Sequence, residues 1–103
     1  MIVKRPDESI PVTFDFADRL GALAPGAAIT AVEALSVDPA GTAGDLEVGD
    51  VGDAVIDQVG QLAVQVVATG GRAWVKYRPV CRATVQHSGG EYLFEVELDV
   101  RVI

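Results

Sequence analysis

The stretch Glu91-Tyr92-Leu93-Phe94-Glu95-Val96-Glu97-Leu98-Asp99-Val100-Arg101-Val102 decides the fold. Every even position from Tyr92 to Val102 is apolar, while Glu91, Glu95, Glu97, Asp99 and Arg101 take most of the odd ones. Side chains on a strand point alternately to opposite faces, so this pattern predicts a β-strand with one face on a core and the other in water, as antiparallel sheets allow.

Residues 73–85, just upstream, repeat the pattern with the other parity. Ala73, Val75, Tyr77, Pro79, Cys81, Ala83 and Val85 are apolar, and Lys76, Arg78, Arg82 and Thr84 alternate with them. Between the two runs, His87-Ser88-Gly89-Gly90 reads as a turn. With Gln86 facing Glu91 across that turn, Arg82 meets Glu95 and Arg78 meets Asp99 on the outside. On the inside Val85 meets Tyr92, Ala83 meets Phe94, Cys81 meets Val96 and Tyr77 meets Val100. Charge pairing and size pairing thus select one hairpin register, and a slip of one residue would send the core face to water. Pro79 has no N–H to give a ladder, so the strand is expected to lie at an edge, to bulge or to switch sheets there, with pairing broken below Cys81.

Farther upstream, Val12, Phe14 and Phe16 alternate with Thr13 and Asp15 as a first strand, and residues 18–23 suit one helical turn ended by Gly21 or Pro25-Gly26. Residues 27–37 read as a strand with blurred alternation; their alanines leave helix as the alternative. Residues 38–53 are Gly-, Ala- and acid-rich and hold at most a short strand at 46–48. Residues 54–59 and 61–68 follow, the latter with Leu62, Val64 and Val66 on one face, before the turn Thr69-Gly70-Gly71. About seven short strands with frequent turns and no long helix predict an all-β fold, an antiparallel, immunoglobulin-like β-sandwich. Residues 1–10 form an N-terminal arm and residues 11–103 a single sandwich domain in this reading.

A chain of 103 residues suits one domain, large enough for a core without disulfides or metals. Fifteen acidic against eight basic residues give a net charge of −7, which disfavours nucleic acid, since affinity for phosphates rests on Lys and Arg. The single cysteine, Cys81, has no partner for an internal disulfide and falls on the core parity of its strand, as a small apolar side chain. Asp7 and Glu8 follow the basic N-terminus where a signal peptide would be apolar, and no apolar run is long enough to span a membrane. The chain contains no Asn and therefore no N-glycosylation acceptor.

No catalytic constellation is apparent. His87, the only histidine, and Ser88 share a turn without an evident partner, and one Cys and one His do not make a zinc site. Asp38, Asp45, Glu47, Asp50 and Asp53, with Gly49 and Gly52, offer oxygen ligands of the kind calcium prefers, but their spacing matches no EF-hand loop. The reading is a solvated acidic loop, with no metal and no cofactor. Trp74 lies on the outward parity beside Lys76 and Arg78, as an interface anchor would; the alternative is a Trp folded over the open end of the sandwich to cap its core.

The chain resembles a family of small virion proteins of tailed bacteriophages with an Ig-like sandwich, the fibre-to-tail adaptor or neck and tail accessory proteins. The resemblance rests on Val3-Lys4-Arg5-Pro6, Phe14-Asp15-Phe16, Leu20 and Gly26-Ala27-Ala28-Ile29. It continues through Gly70 and Gly71 with Tyr77 six residues after, Ser88-Gly89 and the terminal alternating strand. The family often has Gly where this chain has Trp74; Pro79 and the loop 38–53 also depart from its pattern. The resemblance implies a structural, non-enzymatic protein that joins fibre, spike or neck to tail. Its partners would be other virion proteins and further copies of itself, and it would be made in the bacterial host cytoplasm and housed in the virion. The alternative is a small non-catalytic Ig-like binding module of bacterial origin, for calcium, carbohydrate or peptide.

Overall fold

The computed structural model describes residues 1–21 and 26–103. Its strands are β1 (Ile2–Lys4), β2 (Ile10–Asp15), β3 (Ala28–Asp38), β4 (Val55–Ile56), β5 (Ala63–Ala68), β6 (Lys76–His87), β7 (Gly90–Glu97) and β8 (Val100–Val102). One sheet runs β1-β8-β6-β3 with β7 also on β6, and the other runs β2-β5-β4. The all-β sandwich expected from the alternating runs is what forms. The long terminal run is divided into two strands, β7 and β8. The twelve residues of β6 span about 40 Å at roughly 3.3 Å per residue, which accounts for the 44 Å long axis of the molecule.

The hairpin register is the expected one. Gln86 faces Glu91, Val85 faces Tyr92, Ala83 faces Phe94, Arg82 faces Glu95 and Cys81 faces Val96. Pairing stops after Val80 and Glu97, where buried Pro79 has no N–H to donate; its carbonyl still accepts from Leu98 N–H at 2.9 Å. In unchanged register it resumes as β8, with Tyr77 facing Val100 and Lys76 facing Arg101. The strand expected from residue 73 starts only at Lys76. Arg78 does not bond Asp99 but reaches diagonally to Glu97, Nε to Oε2 at 3.5 Å.

The blurred alternation of β3 has a definite cause. Its pairing with β6 shifts between Ile29 and Ala31 and again between Val32 and Ala34, so Thr30 and Glu33 are extra residues at two bulges. Ile29, Val32, Leu35 and Val37 therefore face Val85, Ala83, Cys81 and Pro79, all buried residues of β6. The bulges stretch the apolar spacing from two residues to three over Ile29, Val32 and Leu35, which is why the alternation looked blurred; Ala28, Ala31 and Ala34, which left helix as the alternative, lie in the strand.

Part of the stretch expected as an N-terminal arm, Ile2–Lys4, forms β1, which pairs with β8 from Ile2 opposite Val100 to Lys4 opposite Val102. This pair is parallel, whereas every other strand pair is antiparallel. No tight turn links the first and last strands, so nothing forces them to run in opposite directions. The expected strand at 46–48 contracts to a single bridge between Glu47 and Thr69, and that at 54–59 to Val55–Ile56. Leu20 N–H bonds Phe16 carbonyl at 3.0 Å in a turn over the core; Leu23 and Pro25 lie outside the described residues. Between the sheets the core joins Val12, Phe14, Val64 and Val66 to Tyr77, Ala83, Val85, Val100 and Val102. Each large apolar side chain buried there contributes about 1.5–3 kcal/mol.

Candidate docking surface

The turn Thr69-Gly70-Gly71 leads into a corner that holds the start of β6. Gly71 has φ +101°, and a Cβ there would lie 2.6 Å from Val102 Cγ2, so only glycine lets the turn pass this close to β8. Its N–H donates to Gly44 carbonyl at 2.9 Å, bringing the acidic loop to the turn. Asp45 Oδ1 then accepts from Tyr77 Oη–H and from Arg72 Nε–H, each at 2.8 Å, while Oδ2 accepts from Thr42 N–H at 2.9 Å. Arg72 N–H in turn donates to Tyr77 Oη at 2.9 Å. The Arg72 and Tyr77 bonds hold the Asp45 carboxyl below its ordinary range, because they favour its charged form. The Gly-Gly…Tyr spacing is thus the imprint of a lock between loop and sheet.

Lys4, from β1, closes the corner from the other side. Its side chain is 1 % exposed and its ammonium donates to the carbonyls of Arg5 and Gly70. Burial pushes its pKa down, opposed by the nearby charges of Glu8 and Asp7.

This framework fixes the backbone of Trp74 while leaving its side chain outside. Trp74 N–H donates to Val102 carbonyl at 2.7 Å, and Val75 N–H to Arg72 carbonyl at 3.3 Å. The residue sits at φ +67°, in the left-handed region, and its side chain is 75 % exposed. It does not cap the core. That backbone conformation is one a glycine takes without strain and a bulky side chain does not. Trp74 borders a shallow hollow with Arg5, Pro6, Asp7 and Ile103.

Lys76 and Arg78 follow on the outer face of β6, as their parity predicted, and both line a second hollow with Met1, Asp38, Pro39 and Asp99. Arg78 is held by Glu97; Lys76 has no carboxylate within ion-pair distance among the described residues. The structure adds what sequence reasoning missed. Lys76 faces Arg101 across the β6–β8 ladder, and Arg101 faces Val3 across β8–β1, so the three exposed residues form one row on the outer face. The hairpin register, continued past Pro79, carried the signal for Arg101; nothing local pointed to Val3.

The other sites considered from sequence look different in three dimensions. Asp45 is consumed by the corner, and Asp50 and Asp53 cap each other around the single 3-10 turn Val51–Asp53, with Asp50 N–H bonding Asp53 Oδ2 at 3.1 Å. Among the described residues no three or more His, Cys, Asp or Glu side chains converge as a metal would need. Cys81 is buried, and burial pushes its thiol up to about 11, so little of it is thiolate at neutral pH. No helix in the described residues is long and apolar enough to cross a membrane.

The architecture is thus an all-β sandwich of two sheets with open hollows at its surface. The sequence profile of the podophage GP4 fiber-tail adaptor protein gp77 family matches residues 4–101, and the chain belongs to that family. No curated protein and no solved structure matches it.

Proposed function

We propose that this protein is a non-enzymatic component of a podophage tail that joins fibre to tail, and that it docks through the face carrying Trp74, Lys76 and Arg78. The observation that carries the docking surface is the presentation of Trp74. An aromatic side chain stands in solvent on a backbone held by hydrogen bonds to β8, as a rigid anchor awaiting a pocket would. Family membership supports other virion proteins as partners and the assembled particle as the final location, after synthesis in the host cytoplasm. Several copies per particle, each contacting the next, complete this reading.

A phage lacking this gene, with the protein supplied from a plasmid, tests the role. Particles made without the protein are expected to have heads and tails but no fibres, and mass spectrometry of complemented particles is expected to find the polypeptide at fixed stoichiometry. Fibres on the deficient particles, or absence of the polypeptide from complete ones, would overturn it.

A further inference from the structure

We infer that the partner of the Trp74 face is an acidic polypeptide surface, and that Arg5, Lys76 and Arg101 are the cations that recognise it. This rests on the docking reading above and specifies its partner's chemistry.

Three observations carry it. The first is the pattern of ion pairing. Arg72, Arg78 and Arg82 each have a carboxylate, from Asp45, Glu97 and Glu95, while Arg5, Lys76 and Arg101 have none within ion-pair distance among the described residues. In a protein with fifteen acids for eight bases, exposed cations without partners are unexpected; of the four among the described residues, Arg19 lies apart in the turn after β2, while Lys76 and Arg101 face each other across β6 and β8 and Arg5 lies beside Trp74. The second is the pairing of Lys76 directly opposite Arg101. Like charges at opposed positions of neighbouring strands repel, so the pair opposes folding unless something negative lies over it. The third is Trp74, whose φ of +67° is unfavourable for a bulky residue and whose exposed ring returns little burial energy to the domain. Neither Trp74 nor the Lys76–Arg101 pair serves the isolated fold. Both suit a contact whose apolar centre is Trp74 with Ile103 and Val3, and whose rim is cationic. Asp7 borders the Trp74 hollow and Asp38 and Asp99 the one that Lys76 lines, so the place where cations face each other with no acid in the pairing is the Val3–Arg101–Lys76 row. A polypeptide is favoured over nucleic acid because the net charge of −7 repels a phosphate chain extending beyond the patch.

The test supplies variants from a plasmid to the deficient phage and measures incorporation into particles, alongside the melting temperature of each purified protein. Trp74→Gly is expected to melt no lower than wild type yet to be incorporated at least tenfold less. Lys76→Gln/Arg101→Gln, which removes the facing like charges, is expected to melt at or above the wild-type temperature and to lose incorporation to the same degree. Arg19→Gln/Arg82→Gln, which changes net charge equally, is expected to be incorporated normally. If only Trp74→Gly fails to incorporate, the docking face stands and the acidic partner is overturned; if Trp74→Gly incorporates normally, the docking reading itself falls. A lower melting temperature for Lys76→Gln/Arg101→Gln would make the pair structural and overturn the inference. So would salt-sensitive binding of a single-stranded oligonucleotide by the wild-type protein that this variant loses, since the patch would then read phosphates.

Discussion

Val100 and Val102 in β8 are fully buried, whereas Tyr92, Phe94 and Val96, on the same face of the same alternating run in β7, are covered only in part, Tyr92 being 46 % exposed. The charges on the opposite face differ as well. Along β7, Glu95 bonds Arg82 with Nε to Oε1 at 2.8 Å and Glu91 accepts from Gln86 at 3.1 Å, while along β8 Arg101 confronts Lys76. Alternation reports which way a side chain points, but coverage depends on neighbours. β8 lies between β1 and β6, whereas β7 has β6 on one flank and, among the described residues, no strand on the other. The half that is complete inside is electrostatically unfinished outside; the other half is the reverse.

The largest expected effect breaks the completed half at its tightest point. Gly71→Ala places a methyl group against Val102 and strains a positive φ, and should destabilise by about 3 kcal/mol or more in chemical denaturation. A cost below about 1 kcal/mol would show that β8 can move aside, against the close packing described. Next, the two halves are compared directly. Val100→Ala should cost about 2–3 kcal/mol and Val96→Ala roughly half as much, because a side chain already in partial contact with water has less burial to lose. Equal costs would mean that β7 is as well covered as β8 in solution. Phe94→Ala should likewise cost about 2 kcal/mol, short of the 3–5 kcal/mol typical of a fully buried Phe.

A pH titration sharpens the comparison at the corner. The folded-state pKa of Asp45 is depressed, so its contribution to stability is complete above the unfolded value of 3.8 and disappears as pH falls through the lower folded one. Asp45→Asn should lower Tm at pH 7 by roughly 5 °C or more, and its Tm should fall less steeply than that of wild type below about pH 4. Parallel acid limbs for the two proteins would show that Asp45 is not held as described. The smallest effect belongs to the exposed pair of β7. A double-mutant cycle on Arg82 and Glu95 should give a coupling of about 0.5 kcal/mol, diminished by salt, since each side chain is near half exposed.

Much of this was legible from the chain. The hairpin register could be read to the residue because charge and size patterns on β6 and β7 constrain each other independently, and the pause at Pro79 follows from a missing N–H. Trp74, Lys76 and Arg78 pointed outward by parity, and so they do. What stayed hidden depends on residues far apart in sequence. That Lys4 is buried can be known only once Gly70 is placed beside it. Asp45 looked like one acid among several, and its part in the corner appears only with Tyr77, 32 residues away. The bulges in β3 hid its parity because two extra residues reset it twice within one strand.

The parallel pairing of β1 with β8 also bears on how the domain closes as it folds. Ile2 pairs with Val100 across nearly the whole sequence, so this contact costs far more loop closure than the local hairpin of β6 with β7 and is expected to form after it. The carbonyl of Val102 that pins Trp74 belongs to that same late-closing strand. A molecule caught before closure would therefore lack both the closing strand and the posture of its exposed aromatic, and only fully closed molecules would present the anchor.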